Sequence, residues 1–304
     1  MTLILREDRI EEIGALLQSG QPVGMPTETV YGLAAPIFDP IAIQKVFSLK
    51  GRPQDNPLIA HVSSYSMVES IAQAIPSTFY LLTTHFWPGP LTLVLERKEG
   101  VPAIVSAGHP TIAIRMPSHP LALRLIDLIG CPLVAPSANL SGRPSPTCVD
   151  HVLEDFPNGL AAILDGGSCQ IGIESTVLSL VSEIPTLLRP GSITKEQIEE
   201  VLGIRVALPE RKGPILSPGM KYRHYAPNAM IHVVNTLPTL PADAFVLSRE
   251  PVGFLHRYLN SREFYAHLRE ADLLKVKEIW VLLDPISSAN DALMNRLAKA
   301  SSKI

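Results

Sequence analysis

Charge of either sign is scarce in this chain. Only 18% of its 304 residues are Asp, Glu, Lys or Arg, their formal balance is −3, and the isoelectric point lies near 6.3. Such a surface has no field able to hold a polyanion at physiological salt, so stable nucleic-acid binding is not expected. Cysteine is scarcer still. Cys131, Cys148 and Cys169 are odd in number and lack C-x-x-C spacing, which speaks against a disulfide framework and a thiolate zinc site and reads as buried thiols in a reducing compartment. No run of about 18 apolar residues occurs, so no membrane span is expected. Arg6, Glu7, Asp8, Arg9, Glu11 and Glu12 leave no apolar signal core near the start, and a cytoplasmic location follows as the expectation. Also missing are G-x-x-x-x-G-K-[ST], G-x-G-x-x-G after a strand, G-x-S-x-G and H-E-x-x-H. Any ATP site must therefore use another phosphate cradle.

What is present suits a globular fold. Hydrophobic residues make up 46% of the chain, and the length suggests one large domain with a smaller companion. Ile10, Ile13 and Leu17 repeat at helical spacing, and Asp39 followed by Pro40 caps a helix running to Lys50. Strands are expected at 22–26, 58–62, 91–96, 111–116, 132–135, 161–164, 176–181 and 186–188, and further helices within 64–86, at 122–129 and from Thr194 to Leu202. This is a mixed α/β domain over residues 1–208. A Pro-, Gly- and base-rich linker follows at 209–228. Strands at 230–234, 245–248 and 278–283, with helices at 262–274 and 290–300, make residues 229–304 a small α/β domain.

Most of the 28 prolines and 19 glycines gather in polar clusters at strand ends, where α/β sheets carry ligand loops. M-P-T-E-T-V-Y-G-L (25–33) offers the hydroxyls of Thr27 and Thr29 to a small polar ligand, or an N-cap with Glu28 as local acceptor. K-G-R-P-Q-D-N-P-L (50–58) sets Lys50 and Arg52 beside proline, either as a point charge and fork for phosphate or as cations on a helix C-terminus. His61 follows inside an apolar run, where packing is the commoner fate. Arg115 lies in an apolar strand and must reach an internal carboxylate or an anionic ligand, of which the internal partner is the more frequent. A-P-S-A-N-L-S-G-R-P-S-P-T (135–147) supplies small residues, hydroxyls and an amide, as in a phosphate nest or a set of unliganded turns. D-G-G-S-C-Q-I-G-I-E-S-T-V (165–177) leads to Glu174 and Ser175, L-R-P-G (188–191) places Arg189 at a strand end, and W-P-G-P-L-T (87–92) reads as a structural turn. In the linker, Tyr222 and Tyr225 beside Lys221, Arg223 and His224 suggest a segment that docks as a lid.

In this order, P-T-E-T-V-Y-G-L, K-x-R-P-x-x-N-P-L, S-A-N-x-S-G, E-S-T-V, R-P-G and H-Y-A-P resemble the YrdC-type threonylcarbamoyl-AMP synthase family in its two-domain form. The resemblance implies a twisted mixed sheet with a concave cavity and a small Rossmann-like C-terminal domain. It implies a nucleotidyltransferase that joins L-threonine, bicarbonate and ATP into threonylcarbamoyl-AMP and pyrophosphate, the first step of N6-threonylcarbamoyladenosine formation in tRNA. Magnesium would accompany ATP, no organic cofactor is needed, and the product would pass transiently to a tRNA threonylcarbamoyl transferase complex. By the same resemblance Thr29, His61, Arg115, Ala135 and Ser175 form the threonine site. Lys50, Arg52, Asn56, Ser137, Asn139, Ser145 and Arg189 form the nucleotide shell, with Thr111 near the adenosine and Tyr225 closing over it. No residue is expected to act as a nucleophile.

Two rivals are weighed. One is an RNA-binding module without catalysis, which the acidic balance disfavours. The other is carbamoyl transfer of the hydrogenase-maturation kind, which the missing C-x-x-C segments disfavour. The second domain is short for the family, and 292–297 (A-L-M-N-R-L) resembles its closing helix.

Overall fold

A computed structural model describes residues 1–209 and 224–301. Of the expected linker, residues 210–223, with Lys221, Tyr222 and Arg223, lie outside the described residues, as do 302–304.

The larger sheet is built from β1 (Leu3–Leu5), β2 (Val23–Met25), β3 (Gly32–Pro36), β4 (Ile59–His61), β5 (Ala72–Gln73), β6 (Leu91–Arg97), β7 (Thr111–Arg115), β8 (Leu133–Val134), β9 (Ala162–Leu164), β10 (Thr176–Ser179) and β11 (Thr186–Arg189). Their spatial order is β1-β9-β2-β3-β8-β4-β7-β6-β10-β11, with β5 paired to β6. Parallel and antiparallel pairs mix, as β4 runs parallel to β7 and β7 antiparallel to β6. The expectation of a twisted mixed sheet is met.

Helices cover parts of both faces because the strands alternate. In β3, Leu33 and Ala35 enter one core with α2 (Pro40–Lys50) and α4 (Ser77–Phe86), whereas Ala34 enters another with α1 (Ile10–Gln18) and α5 (Pro120–Ile129). Local chemistry sets the helix ends. Asp39 Oδ1 accepts from the amides of Ile41 (3.0 Å) and Ala42 (2.9 Å), and Gly51 ends α2 in the left-handed region. Thr194 and Gln197 form a capping box that opens Lys195–Leu202.

A second sheet comprises Met230–Val234, Phe245–Ser248, Leu255–Tyr258 and Glu278–Leu282, all parallel, with Glu278–Leu282 between the first two. The third of these strands and β3 escape sequence patterning, since neither L-H-R-Y nor G-L-A-A-P carries a clear two-residue alternation. The second core continues into the first domain, for Val30, Ile173 and Tyr225 join Phe264, Tyr265, Leu268, Leu293 and Leu297 in one cluster.

Candidate active site

Strand parity creates the site. Ile59 pairs with Ala113 and His61 with Arg115 between β4 and β7, while Val94 pairs with Ala113 and Val177 with Thr92. Directly opposed residues share a face, so one side of the sheet carries Ile59, Val94, Ala113 and Val177 as an apolar cluster, of which Ile59 lines the cavity. His61, Thr92 and Arg115 stand on that same side. This explains how an arginine sits in an apolar strand: it faces the cavity.

Arg115 is 3% exposed. Its Nη2 lies 2.5 Å from Glu28 Oε1, Nη1 donates to Thr29 Oγ1 at 2.8 Å and Nε donates to the Gly89 carbonyl at 3.1 Å. A guanidinium has five N–H bonds. Nε and Nη1 each spend one in a hydrogen bond, and Nη2 is ion-paired with Glu28 without a hydrogen bond among the described residues, so each terminal nitrogen keeps at least one further N–H. Burial opposes ionisation of Glu28, but the charge and hydrogen bond of Arg115 outweigh it and hold the carboxyl below its usual range. His61 beside them is pushed down to about 3, first by burial and then by the Arg115 charge. Its ring is neutral near pH 7, and its buried Nδ1 has no hydrogen-bond partner among the described residues.

The small-residue loop 135–147 forms the second wall. Lys50 does not line the cavity. Its ammonium donates to the carbonyls of Ser137 and, at 2.6 Å, Asn139, so it holds the loop that does. The Lys50 carbonyl accepts from the Ser141 amide at 2.9 Å. Arg52 reaches the cavity wall while donating to the carbonyls of Asn56 (3.2 Å) and Pro57 (2.8 Å). Asn56 stays buried beneath it. Asn139 lines the cavity with a buried Oδ1 lacking a hydrogen-bond partner among the described residues.

The third wall joins E-S-T-V to R-P-G. Arg189 donates to the Ser175 carbonyl (2.9 Å) and hydroxyl (3.1 Å), and Ser175 Oγ lies 2.7 Å from Thr92 Oγ1. Gly191 permits this closeness, since a Cβ there would fall 2.3 Å from the Thr176 amide nitrogen. Glu174 accepts from Ser145 Oγ at 2.5 Å, which places Ser145 behind the wall.

Tyr225 lines the cavity beside His224. Its φ of 66° is left-handed, an unfavourable state for a bulky residue that persists where surrounding contacts fix it. Here the ring packs 5.3 Å from that of Tyr265, and the next amide, Ala226, donates to the Gly142 carbonyl at 2.8 Å. With Tyr225 and His224 in place the free volume is about 70 Å³, well below the ~300 Å³ or more of pockets that hold drug-sized ligands.

The structure thus brings Thr29, Arg52, His61, Arg115, Ala135, Ser137, Asn139, Ser175, Arg189 and Tyr225 around one cavity. It does not bring Lys50, Asn56 or Ser145 to the walls. Thr111 shares a face with Arg115 but sits at the opposite end of β7, lining a separate depression with Gln73, Glu96 and Arg97. Sequence reasoning missed Thr92, Glu174 as a partner of Ser145, and the role of Glu28 as counter-ion to Arg115. Among the described residues no group of three or more His, Cys, Asp or Glu is placed to hold a metal, the three cysteines are free thiols, and no helix is long and apolar enough to cross a membrane.

The buried histidines predict acid sensitivity. His61 is held at about 3, and His151 and His224 at about 4, chiefly by burial. An unfolded histidine takes its proton near pH 6.5. Below that pH the unfolded chain binds more protons than the folded one, so stability is complete above 6.5 and is lost as pH falls towards the folded values. Each histidine should remove roughly 2 kcal/mol between pH 7 and 5. Urea midpoints measured across that range should fall steadily. A flat profile contradicts the burial argument.

Residues 15–191 match the family described as telomere recombination (Sua5, YciO and YrdC), and residues 193–302 match the threonylcarbamoyl-AMP synthase C-terminal domain. The chain is 42% identical to the threonylcarbamoyl-AMP synthase of Bacillus subtilis over 98% of its length and 94% of that protein. It is 48% identical to that of Pyrococcus abyssi over 77% of its length and 72% of the relative. The crystal structure of P. abyssi Sua5 complexed with L-threonine superposes with a TM-score of 0.90, at 38% identity over 99% of this chain and 97% of that one.

Proposed function

The chain belongs to the threonylcarbamoyl-AMP synthase family, and on that premise we propose that its cavity joins L-threonine, bicarbonate and ATP into threonylcarbamoyl-AMP and pyrophosphate. The product is the precursor of N6-threonylcarbamoyladenosine in tRNA, handed on in the cytoplasm to a separate transferase complex. On this reading residues 1–208 form the catalytic domain, 209–228 a linker whose His224 and Tyr225 line the site, and 229–304 a supporting domain.

The observation that carries this reading is the setting of Arg115. Its two further N–H bonds match the two oxygens of an amino-acid carboxylate, with the hydroxyls of Thr29 and Ser175 beside them. Neutral His61 does not compete for that carboxylate and keeps a lone pair for the threonine amine or hydroxyl. The amine adds to CO2 with loss of a proton, or to bicarbonate with loss of water, and the resulting carbamate oxygen attacks the α-phosphorus as pyrophosphate leaves. Such a step needs positioning and charge neutralisation rather than a protein nucleophile. Arg52, Arg189 and the loop 135–147 supply both on the phosphate side, and a nucleotide extended along the concave face would reach Thr111.

Magnesium fits as an ion carried by the phosphates. Glu174 in the cavity wall and Glu28 behind it are committed to arginines, whereas Asn139 Oδ1 is a hard oxygen ligand. The ion would neutralise phosphate charge. Because ATP exceeds the covered volume, Tyr225 must swing out for entry and return to keep water from the labile anhydride.

Incubation with ATP, magnesium and bicarbonate should release pyrophosphate only when threonine is present. Release that ignores threonine ends this proposal.

A further inference from the structure

Two threonine hydroxyls meet in the turn that follows β2, and their neighbours dictate where each proton points. Thr27 is 3% exposed and Thr29 1% exposed, so bulk water does not decide the matter. A carbonyl oxygen only accepts and a guanidinium only donates. Thr27 Oγ1 lies 2.6 Å from the Val30 carbonyl, which takes the one proton that Thr27 has. The 2.9 Å contact between Thr27 Oγ1 and Thr29 Oγ1 then uses the proton of Thr29, since two oxygens that close with no hydrogen between them repel. Arg115 Nη1 donates to Thr29 Oγ1 from its other side at 2.8 Å.

The consequences differ for the two residues. Thr27 Oγ1 also accepts from the amides of Thr29 and Val30, both at 3.2 Å, so its lone pairs are filled and nothing is left for a ligand. Thr29 keeps one lone pair and no proton. It therefore accepts from a substrate and cannot donate to one. A carboxylate held by the outer N–H groups of Arg115 gains nothing from such an oxygen, whereas the next polar group along an α-amino acid is the amine, which carries N–H donors. The other hydroxyl pair of the site is not fixed in this way. Ser175 accepts from Arg189 Nη2 at 3.1 Å, yet between Ser175 and Thr92, 2.7 Å apart, either oxygen can be the donor.

We propose that Thr27 is a positioning residue for the reaction: by taking the proton of Thr29 it makes that hydroxyl accept an N–H of the substrate amine and keeps it from donating to the nitrogen lone pair. This rests on reading the cavity as the site of threonine activation. The carbamate forms when that lone pair bonds to the carbon of CO2, a C–O π pair moves onto oxygen and the nitrogen passes a proton to water. A hydroxyl able to donate would occupy the lone pair and have to release it first. Fixed as an acceptor, Thr29 draws an N–H towards itself and turns the lone pair away, towards the incoming carbon. The first threonine of P-T-E-T thus acts only through the second.

The test compares the full-length protein with Thr27→Val and Thr27→Ser in single turnovers from about pH 7 to about pH 10, while nitrogen NMR follows the titration of bound, 15N-labelled L-threonine. In Thr27→Val the Thr29 hydroxyl is able to turn and donate to the neutral amine, which favours that form. The bound amine should then titrate about one pH unit lower, and the rate plateau reached once it is neutral should be about tenfold lower, because one hydrogen bond must break first. On the acid side of both plateaus the rates should coincide. Thr27→Ser keeps the hydroxyl and should follow the unmodified profile. A merely weakened fold lowers the rate at every pH and leaves the amine titration where it was. If Thr27→Val does not fold, Thr27→Cys decides, since its thiol fills the space as a weak donor and weak acceptor. An unchanged profile, a loss spread evenly over pH, or Thr27→Ser behaving as Thr27→Val overturns the proposal. Should the unmodified protein bind threonine but show no threonine-dependent pyrophosphate release, the activity reading fails, and the amine titration still decides the role of Thr27. Absence of threonine binding overturns both.

Discussion

Arg115→Ala should abolish threonine-dependent pyrophosphate release while leaving nucleotide binding intact. Removing one partner of a fully buried, hydrogen-bonded charge pair costs roughly 2–5 kcal/mol, so kcat/KM for threonine should fall about a thousandfold. Part of the damage is to the fold, because Glu28 would stay buried with its charge and its counter-ion gone. The two effects separate. Adding Glu28→Gln removes the orphaned charge and should restore much of the melting temperature without restoring threonine use. If Arg115→Ala keeps its KM for threonine, or loses ATP affinity to the same degree, Arg115 is not the carboxylate site.

Lys50→Met should weaken ATP use by way of stability. The ammonium is buried, its pKa is pushed well down chiefly by desolvation, and it serves the carbonyls of Ser137 and Asn139. Its loss leaves two carbonyls without a donor, at a cost of about 3 kcal/mol in all. For a protein of this size that corresponds to a melting temperature roughly 5 °C lower. KM for ATP should rise at least tenfold or so as Ser137 and Asn139 shift, with KM for threonine little changed. A direct phosphate contact predicts otherwise: ATP affinity would fall with no change in melting. Measuring both quantities on one preparation distinguishes a lysine that builds the loop from one that touches the ligand.

These two residues show how far the sequence carried. Lys50 and Arg115 both stood out as cations in unusual company, and both belong to the region of the cavity. The roles differ because Lys50 sits where α2 ends, with loop carbonyls nearer than any space for phosphate. Thr111 is the opposite case. Four residues from Arg115, it shares its face, but a strand advances about 3.3 Å per residue, which separates the two by ~13 Å along β7. Parity gave the face, and only geometry gave the depth.

By itself the sequence determined what is local or cumulative: the Asp39–Pro40 and Thr194 caps, most strands, the two α/β units, and a family resemblance spread over six motifs. Tertiary structure alone decided which side chains meet. Glu28 with Arg115, Thr92 with Ser175, and Arg296 with Glu174 across 122 residues depend on strand register and domain docking. Neither is written in the spacing of neighbouring residues, because each is fixed by packing between elements far apart in the chain. Ordered motifs thus named the chemistry, and the fold decided which residues hold the substrate and which hold those residues in place.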